Sequence, residues 1–322
     1  MHEPVIAPFF AICYPLLAVI GALANSLAIV VLCQRKCGLS LCITFYLVAI
    51  TIADFLVIMA GCVLNRIGGI YFRNSVLSTT PACTVTSVMV YATRDGSVWL
   101  TVAFTIDRFV AISCQKLKIR YCTKKTATLV IGMICSLSCV KNVPFCLVSQ
   151  PLYIVDGVPW FCDIKPIYYT SSFWKVYDKL DQILTPLLPF LLILLLNTLT
   201  VIHILEANRA RKRLWGEGDR ADPEMANRKR SIVLLFAISI SFLLLWSTYV
   251  GRYLYVQLVG EGYFNGLESS DPDIILQETT NMLQILSSCN NVFIYVVSQT
   301  KFREEMKKLL MCPFTTITNF TW

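Results

Sequence analysis

Seven long apolar runs, each closed off by charge, constrain this chain more than any other feature. They cover about residues 9–33, 41–64, 83–107, 126–149, 178–205, 230–258 and 274–298. A helix rises ~1.5 Å per residue, so ~20 apolar residues cross a ~30 Å hydrocarbon core, and every run is long enough to cross with some tilt. Composition points the same way: 56% of the 322 residues are hydrophobic, 15% are charged and mean hydropathy is +0.63. An ordinary globular domain carries roughly 25% charged residues. Pro15, Pro144, Pro186 and Pro189 fall inside the runs, which a membrane helix accommodates when neighbouring groups satisfy the freed backbone. The expected fold is therefore all-α: a seven-transmembrane helix bundle over 9–298, preceded by an extracellular N-terminus (1–8) and followed by a short amphipathic helix and cytoplasmic tail (299–322).

Lysine and arginine placement sets the expected orientation. With the N-terminus outside, the cytoplasmic segments hold Arg35 and Lys36, six bases in 108–125, eight in 206–230 and four in 301–308, which is twenty of the 28. The 261–278 segment has five acids and no base. No cleavable signal is expected, because residues 1–4 lack a basic stretch and the first apolar run is too long. The sequon at Asn319 falls on the cytoplasmic side and reads as a chance match.

Several function classes drop out. The net charge of +8 is not gathered on one face with interleaved aromatics, which argues against a nucleic-acid partner. His2 and His203 lie far apart, and no HExxH, paired CxxC or Gly-rich phosphate loop occurs, so no cofactor site or enzyme chemistry is expected. The 14 cysteines lie mostly in apolar runs, where they behave as small hydrophobes, leaving one or two bridges at most. A multi-span transporter or channel is the alternative function, although no internal repeat is evident.

Polar residues inside membrane helices are costly and mark function or interhelical contacts. The second run holds Asp54 and the first Asn25. The third ends in Thr105-Ile106-Asp107-Arg108-Phe109, the sixth contains Phe242 and Trp246, and the seventh contains Asn290-Asn291-Val292-Phe293-Ile294-Tyr295. On these residues the chain resembles the rhodopsin-like (class A) G-protein-coupled receptors along nearly its whole length. Asp107-Arg108-Phe109 is similar to that family's Asp-Arg-Tyr, Asn291 to Tyr295 to its Asn-Pro-x-x-Tyr, and Phe242 with Trp246 keeps its Phe-x-x-Cys-Trp spacing. A finer resemblance is to the orphan peptide-receptor-like branch that includes aromatic-amino-acid-responsive receptors. It rests on Ser97-Val-Trp99-Leu-Thr-Val, on Leu188-Pro189 with Asn197, and on Leu245-Trp246.

The resemblance implies specific roles. Asp54, with Ser97, Ser287, Ser288 and Asn291, would line an allosteric sodium site, hard oxygen donors being suited to a small cation; a water-filled polar core is the alternative. Arg108 would pair with Asp107 at rest and turn toward a heterotrimeric G protein when the sixth helix swings out. The acid usual at the base of that helix is missing, since Arg228 stands there, so a second lock is doubtful. Cys83 and Cys162 would form a disulfide over the pocket mouth. The chain also departs from the family: Thr248 and Val292 replace two prolines, predicting straighter sixth and seventh helices, and Asn197 stands where a tyrosine is common. Val90 and Ile285 replace the residues that would mark an amine receptor or an opsin.

Arg94 lies one helical turn beyond Val90 and so faces the cavity. Arg94 and Arg252, with Tyr249, Tyr253, Phe173 and Trp174, make a candidate site for an extracellular ligand with an anionic group and an aromatic portion, such as an amino-acid derivative or short peptide. The competing reading pairs Arg94 with Asp95, or Arg252 with an acid, structurally. At the inner side, 206–230 suits a G protein and anionic lipid, and 301–310 alternates basic and apolar positions as an interfacial helix. Cys312 is a candidate lipidation site, and Thr315, Thr316 and Thr318 are candidate phosphorylation sites for arrestin. The expected location is the plasma membrane.

Overall fold

The computed structural model describes residues 8–215, 223–259 and 272–318. The first helix is Pro8–Cys33 and the second Leu41–Tyr71; the third is Thr80–Ser113 and the fourth Lys124–Leu147. The fifth is built from Ser172–Gln182, Ile183–Leu187 and Leu188–Trp215. The sixth is Pro223–Val259, the seventh Pro272–Ser298 and the eighth Thr300–Thr318. The sequon at Asn319 and most of the acidic 261–278 segment lie outside the described residues. The same holds for the side chains of Arg228, Cys312, Thr315, Thr316 and Thr318.

Among the described residues, six helices are long and apolar enough to cross a membrane. The seventh falls short because Gln277, Glu278, Gln284, Asn290 and Asn291 all lie on it. That polarity is affordable only inside the bundle: Glu278, Gln284 and Asn291 are buried, while Val297, on the same helix, is 78% exposed. Leu129 and Leu244 on other helices are exposed in the same way. An apolar exterior around a polar interior is the arrangement for lipid solvent.

Several ends differ from the expected ones. The third helix runs to Ser113, so Asp107-Arg108-Phe109 lies inside it rather than at its boundary. The second continues to Tyr71 and the fifth begins at Ser172, in both cases through polar residues that a hydropathy criterion reads as loop. The second helix starts at Ser40, whose hydroxyl accepts from Ile43 N–H at 3.4 Å, a weak form of the usual serine cap.

Thr248 and Val292 lie within uninterrupted α-helix. The irregular stretches are elsewhere, as π-helical turns at Ile58–Ile67 in the second helix and at Ile183–Leu187, containing Pro186, in the fifth. The main core joins helices one to three, six and seven through Leu32, Tyr46, Leu47, Phe104, Leu235 and Tyr295. Phe302 of the eighth helix packs edge-on against Tyr295, 5.8 Å between centroids, so the amphipathic helix is docked on the bundle by its buried apolar face.

The segment between helices four and five adds strands to an otherwise helical chain. β1 (Ser149–Gln150) pairs antiparallel with β4 (Asp163–Ile164), and β2 (Tyr153–Val155) with β3 (Val158–Trp160). Asp156 and Gly157 turn the inner hairpin at φ 51° and 77°, the left-handed pair such a turn needs. The Cys83–Cys162 disulfide fastens this hairpin to the start of the third helix. Two hydrogen bonds reinforce it: Phe161 N–H donates to Ser78 O at 2.7 Å, and Thr80 Oγ1 donates to Phe161 O at 2.6 Å.

Candidate functional site

A cavity of about 670 Å³ opens beneath the hairpin and reaches halfway down the bundle. Helical periodicity builds its walls. On the third helix Tyr91, Arg94, Ser97 and Thr101 recur at three- and four-residue intervals, and on the seventh Gln277, Gln284 and Asn291 recur at seven. Tyr249 and Arg252 come from the sixth helix, and Lys175, Asp178 and Asp181 from the fifth. Tyr253, Phe173 and Trp174 do not line it. Tyr253 is buried on another face, Phe173 is 64% exposed, and Trp174 packs with Phe145 and Val148 at the ends of helices four and five. Neighbouring sequence positions on a helix point about 100° apart, so proximity in sequence placed these three wrongly.

Arg94 and Asp95 face different neighbours. Asp95 is 3% exposed and accepts from Lys141 Nζ at 2.7 Å, Asn142 Nδ2 at 2.6 Å and Thr185 Oγ1 at 2.7 Å. Lys141 also bonds Asp181, so helices three, four and five meet in one buried polar cluster. The Arg94–Asp95 pairing therefore does not form, and among the described residues Arg94 has no hydrogen bond or ion pair. Arg252 bonds Gln277 Oε1 at 3.4 Å. Arg66 pairs with Glu278 at 2.9 Å, and Tyr14 OH donates to that carboxylate at 2.7 Å.

Sequence reasoning missed Arg66, Lys175, Asp178, Asp181 and Gln284. Gln284 is the most telling: it is 3% exposed, faces the cavity, and neither of its amide atoms has a partner among the described residues. Its position seven residues before Asn291 was the available signal. At the rim, Tyr168 OH donates to Asp178 Oδ1 at 2.7 Å. Burial, and then that hydrogen bond, push the Tyr168 hydroxyl above its ordinary range, so it remains a donor.

At the cavity floor Asp54 is fully buried. Ser97 Oγ donates to its Oδ1 at 2.6 Å and Asn291 Nδ2 to its Oδ2 at 2.8 Å. Ser287 and Ser288 line the same space, and Asn25 Nδ2 donates to Ser288 O at 3.2 Å. Helices two, three and seven thus meet at one carboxylate, and helix one joins them through the Ser288 carbonyl. Beside it, Phe242 stacks on Trp246 at 5.2 Å and Trp246 meets Tyr249 edge-on at 5.9 Å, an aromatic column from cavity to core.

At the opposite end Arg108 Nε donates to Asp107 Oδ2 at 3.0 Å, with Nη2 on the same oxygen. Arg108 Nη1 also donates to Ser231 Oγ of the sixth helix at 3.2 Å. A second tether thus exists, through a neutral hydroxyl in place of the expected acid. Cys42 Sγ donates to Asp107 Oδ1 at 3.1 Å, and the Phe109 ring lies 6.0 Å from His203. Tyr295 is fully buried. The Asn197 amide is spent on its own helix, donating to Ile193 O at 2.9 Å.

The family described as 7 transmembrane receptor (rhodopsin family) matches residues 24–295. The chain is similar to the C-C chemokine receptor type 1 of Macaca fascicularis, 24% identical over 304 residues, covering 92% of this chain and 78% of that one. It is also similar to the sex peptide receptor of Drosophila melanogaster, 22% identical over 324 residues, covering 94% and 73%. With G-protein coupled receptor 15 of Mus musculus it shares 23% over 238 residues, covering 74% and 61%.

Proposed function

The chain belongs to the rhodopsin family of seven-transmembrane receptors, and from that premise we propose that it binds an extracellular ligand with an anionic group and an aromatic portion, an amino-acid derivative or short peptide, and activates a heterotrimeric G protein. The family is one of receptors and not of enzymes, and the transporter reading falls with it. The observation that carries the ligand class is Arg94: a guanidinium facing a cavity, flanked by Tyr91 and Tyr249, with its neighbouring acid bound elsewhere. A guanidinium matches a carboxylate bidentately and stacks on aromatic faces. Gln284 adds a buried amide that a ligand's polar group or water must satisfy. Two relatives carry peptide or chemokine ligands in their names, which supports the peptide end of this class.

Transmission would run through the aromatic column. A ligand seated on Trp246 and Tyr249 biases the sixth helix outward, breaking the Arg108–Ser231 contact and freeing Arg108 for the G protein. The Asp54 pocket, with Ser97, Ser287, Ser288 and Asn291, would hold sodium as a negative modulator. Its carboxylate, hydroxyls and amide are the hard donors that ion takes, and the ion would supply the positive charge a buried carboxylate lacks. The N-terminus would lie outside the plasma membrane, with Cys312 lipidated and Thr315, Thr316 and Thr318 recruiting arrestin.

The test is Arg94→Ala beside Arg94→Lys, with surface expression measured. An anionic aromatic agonist found by screening should lose its response in Arg94→Ala and keep part of it in Arg94→Lys. An unchanged dose-response in Arg94→Ala refutes the ligand class.

A further inference from the structure

Arg66 lines the cavity from the second helix, yet its partners lie behind the wall. Its Nη1 pairs with Glu278 Oε1 of the seventh helix at 2.9 Å, and its guanidinium carbon sits 5.8 Å from the centroid of the Tyr14 ring on the first. Tyr14 OH donates to the other oxygen of that carboxylate at 2.7 Å. Both oxygens of Glu278 are therefore engaged, and Glu278 and Tyr14 are both buried. Neither lines the cavity. Helix one is fastened beside helix two by Cys62 Sγ, which donates to Tyr14 O at 3.1 Å, and by Tyr71 OH, which donates to Ala11 O at 2.9 Å. Tyr14 is thereby held on the ion pair.

This closure decides which charge a ligand meets. To recruit Arg66, an anionic group must strip it from Glu278 and leave a buried carboxylate without its cation, which costs more than the new contact returns. Arg94 is the opposite case, facing the same cavity with no hydrogen bond or ion pair among the described residues. The two arginines differ in availability because of an acid that touches no ligand. Between Arg66 and the cavity floor the wall is made by Val57 and Gly61 of the second helix and Ile285 of the seventh. A Cβ at Gly61 would meet nothing within 4 Å, so that side has both apolar lining and room.

We propose that Glu278 is a specificity-determining residue, which cancels the charge of Arg66 from behind the wall. An anionic group is kept to Arg94 on the third helix and refused at the second, and an uncharged portion of the ligand lies against Val57, Gly61 and Ile285. The inference rests on the ligand class proposed above and adds to it the orientation of the ligand across the cavity.

The probes are benzylsuccinate, benzylglutarate and benzyladipate, each beside its monomethyl ester, so that every pair differs by one charge and the series spans several distances. Dissociation constants are read from the thermal stabilisation of purified receptor. The ratio of half-ester to diacid constants should rise roughly tenfold from wild type to Glu278→Gln for at least one chain length, because a freed guanidinium adds a charge-assisted hydrogen bond. It should return to the wild-type value in Arg66→Gln/Glu278→Gln. Without probe, Glu278→Gln should melt below wild type and the double variant should recover most of the difference, since removing both members of a buried pair costs less than removing one. A merely structural pair would move the melting temperature and leave the ratio alone, and an unchanged ratio in Glu278→Gln overturns the proposal. A rise that persists in the double variant also overturns it, by assigning the new anion seat to another cation. Arg94→Ala should weaken both members of every pair; unchanged half-ester affinity there removes the ligand class, and this inference with it, whereas a loss there with a flat ratio in Glu278→Gln removes this inference alone.

Discussion

Arg108 shows how much one neutral contact decides. Its bond to Asp107 lies within the third helix and cannot by itself restrain the sixth; among the described residues only the Ser231 hydroxyl ties it across. A single hydrogen bond of this kind contributes about 1 kcal/mol, or roughly fivefold in a two-state equilibrium. Ser231→Ala should therefore raise basal guanine-nucleotide exchange a few-fold, and Ser231→Glu, which restores an ionic tether, should lower it. Equal basal rates in all three would show that the contact does not govern the resting state. Gln284 makes the complementary case. Removing an unsatisfied buried amide relieves a desolvation cost of about 1–3 kcal/mol, so Gln284→Leu should raise the melting temperature of the ligand-free receptor while weakening agonist potency. A lower melting temperature would mean that the amide has a structural partner.

Helices six and seven carry their function without the two prolines the family uses. In the seventh, a proline at 292 would clash with the carbonyl of Ser288, one turn back, and free it from its helical bond. That carbonyl already accepts from Asn25 of the first helix. The usual cost of about 3 kcal/mol for an interior proline should then be partly offset. Val292→Pro is expected to fold, with a modest fall in melting temperature, and Asn25→Ala should make the same substitution far more damaging. Strict additivity of the two losses would exclude the coupling. Hydropathy makes these helices readable as elements, but their polar interhelical bonds depend on which faces meet.

Across the whole bundle, Asp54 is where three helices share one carboxylate, so a cation held there would bias the global equilibrium and not a local contact. Replacing N-methylglucamine chloride by sodium chloride at constant ionic strength should lower basal or agonist-driven exchange in the wild type. Asp54→Asn, which keeps the shape and removes the charge, should abolish that dependence. A wild type indifferent to sodium would leave the pocket a purely polar crossing point. At this scale the disulfided hairpin and the docked eighth helix close the two ends, and the cavity and the Arg108 tether lie at opposite ends of the third helix.

Seven crossings, their order and the positions of Asp54, Arg108, Trp246 and Asn291 were legible in the chain alone, because hydropathy and helical spacing are local properties. The same spacing correctly turned Arg94 toward the cavity. It could not tell what Asp95 would meet, because Lys141, Asn142 and Thr185 arrive from other helices. Nor could it separate Tyr249, which lines the cavity, from Phe173 and Trp174, which do not. The hydroxyl that replaces an acidic lock and the Gln284 amide, unpaired among the described residues, likewise exist only once the helices are packed. Inside a membrane each polar group must find its partner within the protein, and tertiary structure alone decides which helix supplies it.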